Sequence, residues 1–273
     1  MGNRDKTVVV MNGGRVELVI VGSGNVAEAF ACAVARCGSL TLKQIFARNA
    51  ERAAHISSKV GVEWTSDVEQ LSRADLYIIA VSDSAVGDVA SALPFAPGST
   101  VVHTAGSVPL AVLPSEGVHR GILYAFQSFT AGRDISFEGL PLFVEAESEE
   151  VYALLEGVGE MLGCRVARAD SDRRRVVHLA GVLANNFVNH LYALAGDVIG
   201  GAGLDFDTLK PLVRETALKA LASDDPRDVQ TGPARRGDRA VVERHLEMLR
   251  EDECKQKIYK YITESIWETS KKI

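Results

Sequence analysis

The 273-residue chain is 47% hydrophobic and 24% charged, the composition of a globular protein long enough for one large or two modest domains, each with its own core. Its formal net charge of -6 leaves no electrostatic footprint for DNA or RNA, and no apolar run reaches the ~20 residues needed to cross a bilayer. The four cysteines, Cys32, Cys37, Cys164 and Cys254, form neither a CxxC pair nor a His-interleaved ligand set, which argues against a metal centre and a disulfide framework and fits reduced thiols in a cytoplasmic protein.

The first dozen residues carry no signal-peptide pattern and read as a tail or an extra edge strand. Val16 to Val21 is an apolar strand that runs into Gly22-Ser23-Gly24-Asn25-Val26-Ala27, a Gly-x-Gly-x-x-Ala turn opening an alanine-rich helix over 25–37. In such a turn the first glycine permits the bend and the second lets the backbone approach a pyrophosphate. The small third residue lets the helix pack on the strand, and the amides at the helix start hold the phosphates. Gly22, Ser23, Gly24, Asn25 and Val26 are therefore candidate dinucleotide ligands. A second strand over 42–47 ends about 20 residues further on, where an NAD site carries an acidic residue for the ribose hydroxyl. Arg48 and Asn49 stand there instead. A guanidinium can stack on adenine and pair with the 2′-phosphate that a carboxylate would repel, so the expected cofactor is NADP.

A helix over 49–59, a strand over 76–81, a helix over 84–92 and a strand over 99–104 continue the alternation. Apolar runs at 120–126, 140–145 and 164–168 extend the sheet, with a helix from Glu149 to Leu162. This order predicts an α/β fold, a Rossmann-like parallel sheet with crossover helices. After Asp170 the pattern becomes helical, with one long helix continuing past Ile199 and others near 205–222, 238–251 and 253–269. The expected organisation is a dinucleotide-binding domain over 1–170 and an all-helical substrate and dimerisation domain over 171–273, the active site lying in the cleft between them.

Ligands in open α/β sheets lie beyond the carboxyl ends of the strands. Val81, Ser82 and His103 sit at two such ends, close to the expected cofactor, and Ser107 follows in the next turn. Ser82 and Asp83 can equally cap the next helix, Ser107 can form a turn, and His103 can be a hydrogen-bonded structural histidine. On a regular helix Asn185 and Asn189 fall within about 20° of His178, drawing a polar stripe along a helix otherwise apolar enough to be packed on several sides. The stripe is either a site or a set of interhelical hydrogen bonds. The segment Gln230 to Asp238 brings Thr231, Arg235 and Arg236 together around a glycine, which suits a small carboxylate, though Asp238 can also cap the next helix. Arg173-Arg174-Arg175 reads as a solvated helix face.

Five segments together resemble a family that couples a Rossmann-like domain to a helical domain of unknown function, NADP oxidoreductases similar to deazaflavin-dependent NADP reductases and pyrroline-5-carboxylate reductases. They are Gly22 to Ala27, Val102 to Ser107, Tyr124-Ala125-Phe126-Gln127-Ser128-Phe129, His178 to Phe187 and Gln230 to Asp238. The family commonly has His-Pro where this chain has Tyr124-Ala125. The lysine that related hydroxyacid dehydrogenases place one turn before an asparagine is here Gly181 or Val182. The resemblance implies NADP-dependent hydride transfer to a carbonyl or imine carbon of a small carboxylate, such as a 2-dehydropantoate-like oxo acid or a cyclic imino acid. In this reading His178 donates a proton and Asn185 orients the substrate. Ser107, Gln127, Asn189, Thr231 and Arg235 are the expected substrate contacts, and a homodimer joined through the helical domain is the expected assembly. The alternative is a non-catalytic module that binds NADP(H) as a redox sensor.

Overall fold

The computed structural model describes residues 15–270, so the expected tail or edge strand over the first dozen lies outside the described residues. By its contacts the chain divides into two units, Met1–Asn185 and Asn186–Ile273. The pattern change at Asp170 marks the end of the last strand, while the division comes later, inside the long helix.

The first unit contains β1 (Val16–Val21), α1 (Asn25–Arg36), β2 (Leu40–Phe46), α2 (Ala50–Val60), β3 (Trp64–Thr65), β4 (Leu76–Ile79), α3 (Val86–Ala92), β5 (Thr100–His103), β6 (His119–Ala125), β7 (Pro141–Ala146), α4 (Glu149–Met161), β8 (Arg165–Arg168) and α5 (Ser171–Gly181). The strands form one sheet in the order β3-β2-β1-β4-β5-β6-β7-β8. β1 leads to β2 on one side and pairs with β4 on the other, which makes the β1/β4 boundary the point where strand order reverses. β3 is too short, at two residues, to give an alternating signal in the sequence. The expectation of a parallel sheet holds for most of it, with one correction: β6 and β7 are antiparallel. The chain folds back through residues 126–140, which contain no helix or strand, and an antiparallel return needs no crossover element.

Both faces of the sheet are covered. Leu18, Ile20, Ile78 and Val102 alternate onto one face with Phe30 and Val34 of α1 and Leu155 and Val158 of α4. Val19, Val21, Tyr77, Ile79 and Val101 point to the other, against Val86 and Ala90 of α3. Such double coverage explains why β4 reads as an uninterrupted apolar run.

The second unit is helical: α6 (Val188–Gly200), α7 (Lys210–Ala222), α8 (Pro233–Arg236), α9 (Arg239–Met248) and α10 (Glu253–Ser270). Two expectations are corrected here. A π-helical stretch, Val182–Phe187, separates α5 from α6. Its wider turn advances each residue by less than 100°, so the regular wheel that aligned Asn185 and Asn189 with His178 does not apply across it. The helix is also not packed on several sides within the chain: Leu183, Phe187, Leu191 and Val198 are all exposed.

Candidate functional site

Three features of the first unit build an open groove at the point where strand order reverses. Gly22 has φ +129°, and a Cβ there would stand 2.2 Å from the Ala80 carbonyl oxygen, so only glycine lets β1 turn against β4. Gly24 has no atom within 4 Å of where its Cβ would be, leaving its backbone open to a ligand. Asn49 caps α2 by accepting from the Arg52 amide at 3.0 Å, which keeps Arg48 beside it at the end of β2. The resulting groove encloses about 820 Å³ and is lined by Gly22 to Val26, Arg48, Asn49, Ser66, Val81, Ser82 and Phe129, among others. All the residues of the glycine turn, the β2 end and the β4 end expected to hold the dinucleotide therefore meet in one place.

The turn is braced from below. Arg52 donates to the Ser23 carbonyl at 3.2 Å and to Glu28 at 3.0 Å, and Lys59 donates to the other Glu28 oxygen at 3.0 Å. Burial works against the charge on Glu28, but Lys59 and Arg52 outweigh it and hold the carboxyl below the usual carboxylate range. Asn25 donates to the Phe129 carbonyl at 3.1 Å, tying the helix start to the segment after β6. Arg48 is exposed and makes no ion pair among the described residues, so its guanidinium is available to a phosphate. The bonding pattern, an open glycine backbone with a free guanidinium at the end of β2, fits an adenine dinucleotide carrying a 2′-phosphate.

His103 lies behind the groove, at the end of β5. It is completely buried, its Nδ1 accepts from the Ala105 amide at 3.2 Å, and it does not line the groove. Burial, reinforced by the Arg174 charge, pushes its pKa down to about 4, so it is neutral at physiological pH. Ser82 does not cap the short helix that follows, and its side chain is left to the groove. Asp83 instead accepts from the Ser107 hydroxyl.

Beyond the ends of β5 and β6 lies a second cluster, which α5 assembles by running alongside the sheet. Arg174, His178 and Gly181 fall about one turn apart on it. Arg174 is completely buried, not solvated as its place in an arginine triplet suggests: its guanidinium pairs with Glu145 of β7 and donates to the Val108 carbonyl. One turn on, His178 Nδ1 lies 3.1 Å from the Tyr124 hydroxyl. Gly106 closes the group, since a Cβ there would stand 2.7 Å from His178 Nδ1 and 2.8 Å from Tyr124 Cζ. Gly181 then packs on Phe126, where a Cβ would be 2.6 Å from the ring. Tyr124 was not among the expected site residues; its sequence signals are a polar aromatic at the end of a strand and its place where the family commonly has His.

The remaining expected residues are mostly exposed. Gln127 is exposed and its side chain accepts from the Ser128 amide at 2.8 Å. Asn185 and Asn189 are exposed, as are Thr231 and both Arg235 and Arg236. The last two lie on α8, between Gly232 and Gly237, both at positive φ, and Asp238 caps α9 by accepting from the Val241 amide at 3.2 Å. Among the described residues no group of His, Cys, Asp and Glu side chains could hold a metal ion, and no helix is long and apolar enough to cross a membrane.

Known proteins share the sequence family and the fold. Residues 17–106 match the family described as NADP oxidoreductase coenzyme F420-dependent, and residues 140–266 match a domain of unknown function, DUF2520. No curated protein matches the chain. A protein from Bacteroides fragilis, whose name assigns it to the NADP oxidoreductases, is 36% identical, with 93% of this chain and 98% of that one covered and a TM-score of 0.85. A Thermotoga maritima protein is 22% identical over 93% of this chain and 98% of its own, with a TM-score of 0.69. A reductive aminase from Aspergillus terreus, in complex with NADPH and ethyl-5-oxohexanoate, shares the fold at 15% identity and a TM-score of 0.66, covering 94% of this chain and 93% of its own. With a 36% identical relative aligned along nearly its whole length, the chain belongs to the NADP oxidoreductases, and it joins an oxidoreductase domain of the F420-dependent kind to a DUF2520 domain.

Proposed function

We propose that the chain reduces a carbonyl or imine carbon of a small carboxylate with NADPH, at the carboxyl ends of β5 and β6. The observation that carries this reading is the hydrogen bond between Tyr124 and His178, 3.1 Å long. It puts two proton-holding groups on the side of the sheet where ligands of such folds bind. Bound NADPH supplies the hydride. The chain's own residues do the rest: Gly22 to Val26 hold the pyrophosphate, Arg48 and Asn49 receive the 2′-phosphate, and Val81 and Ser82 line the way toward the reacting end. His178 holds the proton that the product needs, while Asn185, Ser107 and Gln127 orient the substrate. Reductive aminase and imine reductase chemistry in structural relatives favours testing C=N beside C=O. The experiment is a screen for substrate-dependent NADPH oxidation with 2-oxo acids, cyclic imino acids and ketone–amine pairs. Turnover with at least one class is expected, and none with any of the three would reject the reading.

We further propose that the helical unit joins two copies of the chain. Phe187, Leu191, Val198, Leu212, Leu218 and Leu221 are all exposed, a run of large apolar side chains that a second copy would cover. Light scattering at micromolar concentration should read twice the chain mass; the single mass would reject it.

A further inference from the structure

We propose that Tyr124, and not His178, is the residue that hands the proton to the substrate, with His178 acting behind it as the group that holds the phenol in place and returns its proton. The inference rests on the reductase reading above and names the donor within it.

Four elements converge on the Tyr124 hydroxyl. β6 carries the ring to the end of the sheet, where Phe126 and Phe143 pack around it with centroids 6.3 and 6.4 Å away. α5 brings His178 Nδ1 to 3.1 Å from the hydroxyl. The turn after β5 offers Gly106, the one residue type that leaves room for both rings, since any Cβ would collide with each. The segment after β4 brings the charge of Asp83. A half-buried phenol hydrogen-bonded to an imidazole, with the backbone cleared to admit the pair, is an arrangement that fits a working site better than plain packing.

The charges around the phenol suit a donor that must stay protonated. Burial raises its pKa first and the Asp83 carboxylate adds to this, while Arg174 opposes them; the balance lies above the ordinary tyrosine value. Arg174 is paired with Glu145, which tempers its opposing effect, and His103 is uncharged at neutral pH. The O–H bond is thus intact at physiological pH, which a general acid requires.

In the step, the Oη–H bond of Tyr124 breaks and its proton goes to the substrate oxygen or nitrogen. That atom takes the electron pair of the C=O or C=N π bond as the carbon gains a hydride, so the carbon is reduced and the cofactor oxidised. The phenolate then recovers a proton from His178 Nδ1–H as Nε2 takes one from water. One hydride and one proton are consumed per turnover, and proton exchange of the His178 ring with water, Nε2 releasing and Nδ1 regaining one, returns the pair to its starting state.

The test needs a readout besides turnover. NADP+ carries a positive ring charge that NADPH lacks, and a phenol serving the reacting carbon lies within its field. With 3-fluorotyrosine at position 124, whose phenol ionises at lower pH than tyrosine, 19F NMR follows the titration directly over the range in which circular dichroism shows the chain folded. The midpoint is expected to be lower with NADP+ bound than with NADPH; the same midpoint in both would overturn the proposal. In kinetics, Tyr124→Phe should lower kcat by about 10² to 10⁴-fold with NADPH binding unchanged, and His178→Gln should cost less. Wild-type turnover in Tyr124→Phe, or a greater loss in His178→Gln than in Tyr124→Phe, would also overturn it. Absence of wild-type turnover on every substrate would count against the reductase reading, and the NMR comparison would still decide the place of Tyr124.

Discussion

In the sheet unit Leu18, Ile20, Phe30, Leu76 and Val102 are completely buried, whereas after Asn185 the buried residues among those described are Ala234, Val242 and Thr263. The two units are comparably rich in apolar side chains on their helices, so the difference lies in what covers them. A doubly covered sheet closes a core from within one chain, and polar residues caught in it, Arg174 and His103 among them, are then expensive to bury. A few short helices around a long one bury much less, and a unit of that size alone is marginal. The comparison predicts that substitutions at buried polar groups in the first unit act on folding, while substitutions on the apolar face of the second act on association.

The largest expected effect is at Arg174. Replacing it with alanine leaves Glu145 without its partner and the Val108 carbonyl without a donor, a change that costs about 3 to 5 kcal/mol for a buried pair. Chemical denaturation should show the midpoint falling with the slope unchanged. A loss below about 1 kcal/mol would mean that the pair is no strut, and would break the comparison at its strongest point.

Next comes the pH dependence of His103. Its pKa is lowered to about 4 by burial and then by Arg174, against about 6.5 in the unfolded chain. The fold therefore excludes the protonated form: stability is complete above pH 6.5 and is lost as pH falls from there toward 4, by about 3 kcal/mol. Denaturation midpoints across that window check it, and His103→Gln should flatten the slope. An unchanged slope in the variant would place the titrating group elsewhere.

These two residues also mark how far the sequence could be read. The order of strands, the glycine turn and the basic end of β2 were legible because each rests on local geometry: a run of apolar residues, a bend that only Gly22 permits, a terminus at fixed spacing. The burial of Arg174 was not, because nothing local separates it from Arg173 and Arg175; only the approach of Glu145 and Val108 from distant parts of the chain does. The antiparallel turn of β7 was hidden for a like reason, since strand direction is set by the connection and not by the strand. Tyr124 and His178 are 54 positions apart, and their pairing depends on α5 running beside β6. The π-helical stretch displaced the one long-range inference that periodicity did allow.

Smaller, and confined to binding, is the effect of Arg48. Removing its guanidinium should cost NADPH about 1.5 to 3 kcal/mol, one to two decades in Kd, and leave NADH unchanged. Calorimetry with both cofactors on wild type and Arg48→Ala reads it, and equal affinities in the wild type would remove the argument from the end of β2.

The smallest effect on the chain itself, and the sharpest test of the contrast between the units, is expected from Leu212→Ser and Leu221→Ser. Both side chains are exposed, Leu212 to 64% and Leu221 to 84%, so within a single chain there is little buried area to lose and the change in stability should stay within about 0.5 kcal/mol. If two copies meet through this face, the same substitutions remove apolar area from the interface. Light scattering should then show dissociation at concentrations where the wild type is paired, and the melting temperature should become dependent on protein concentration. A large loss of stability with no concentration dependence would mean that the helical unit buries these residues within its own chain, and the two units would not differ as argued. No change in either measurement would leave the apolar face without a second copy to cover it and would end the case for association through the helical unit.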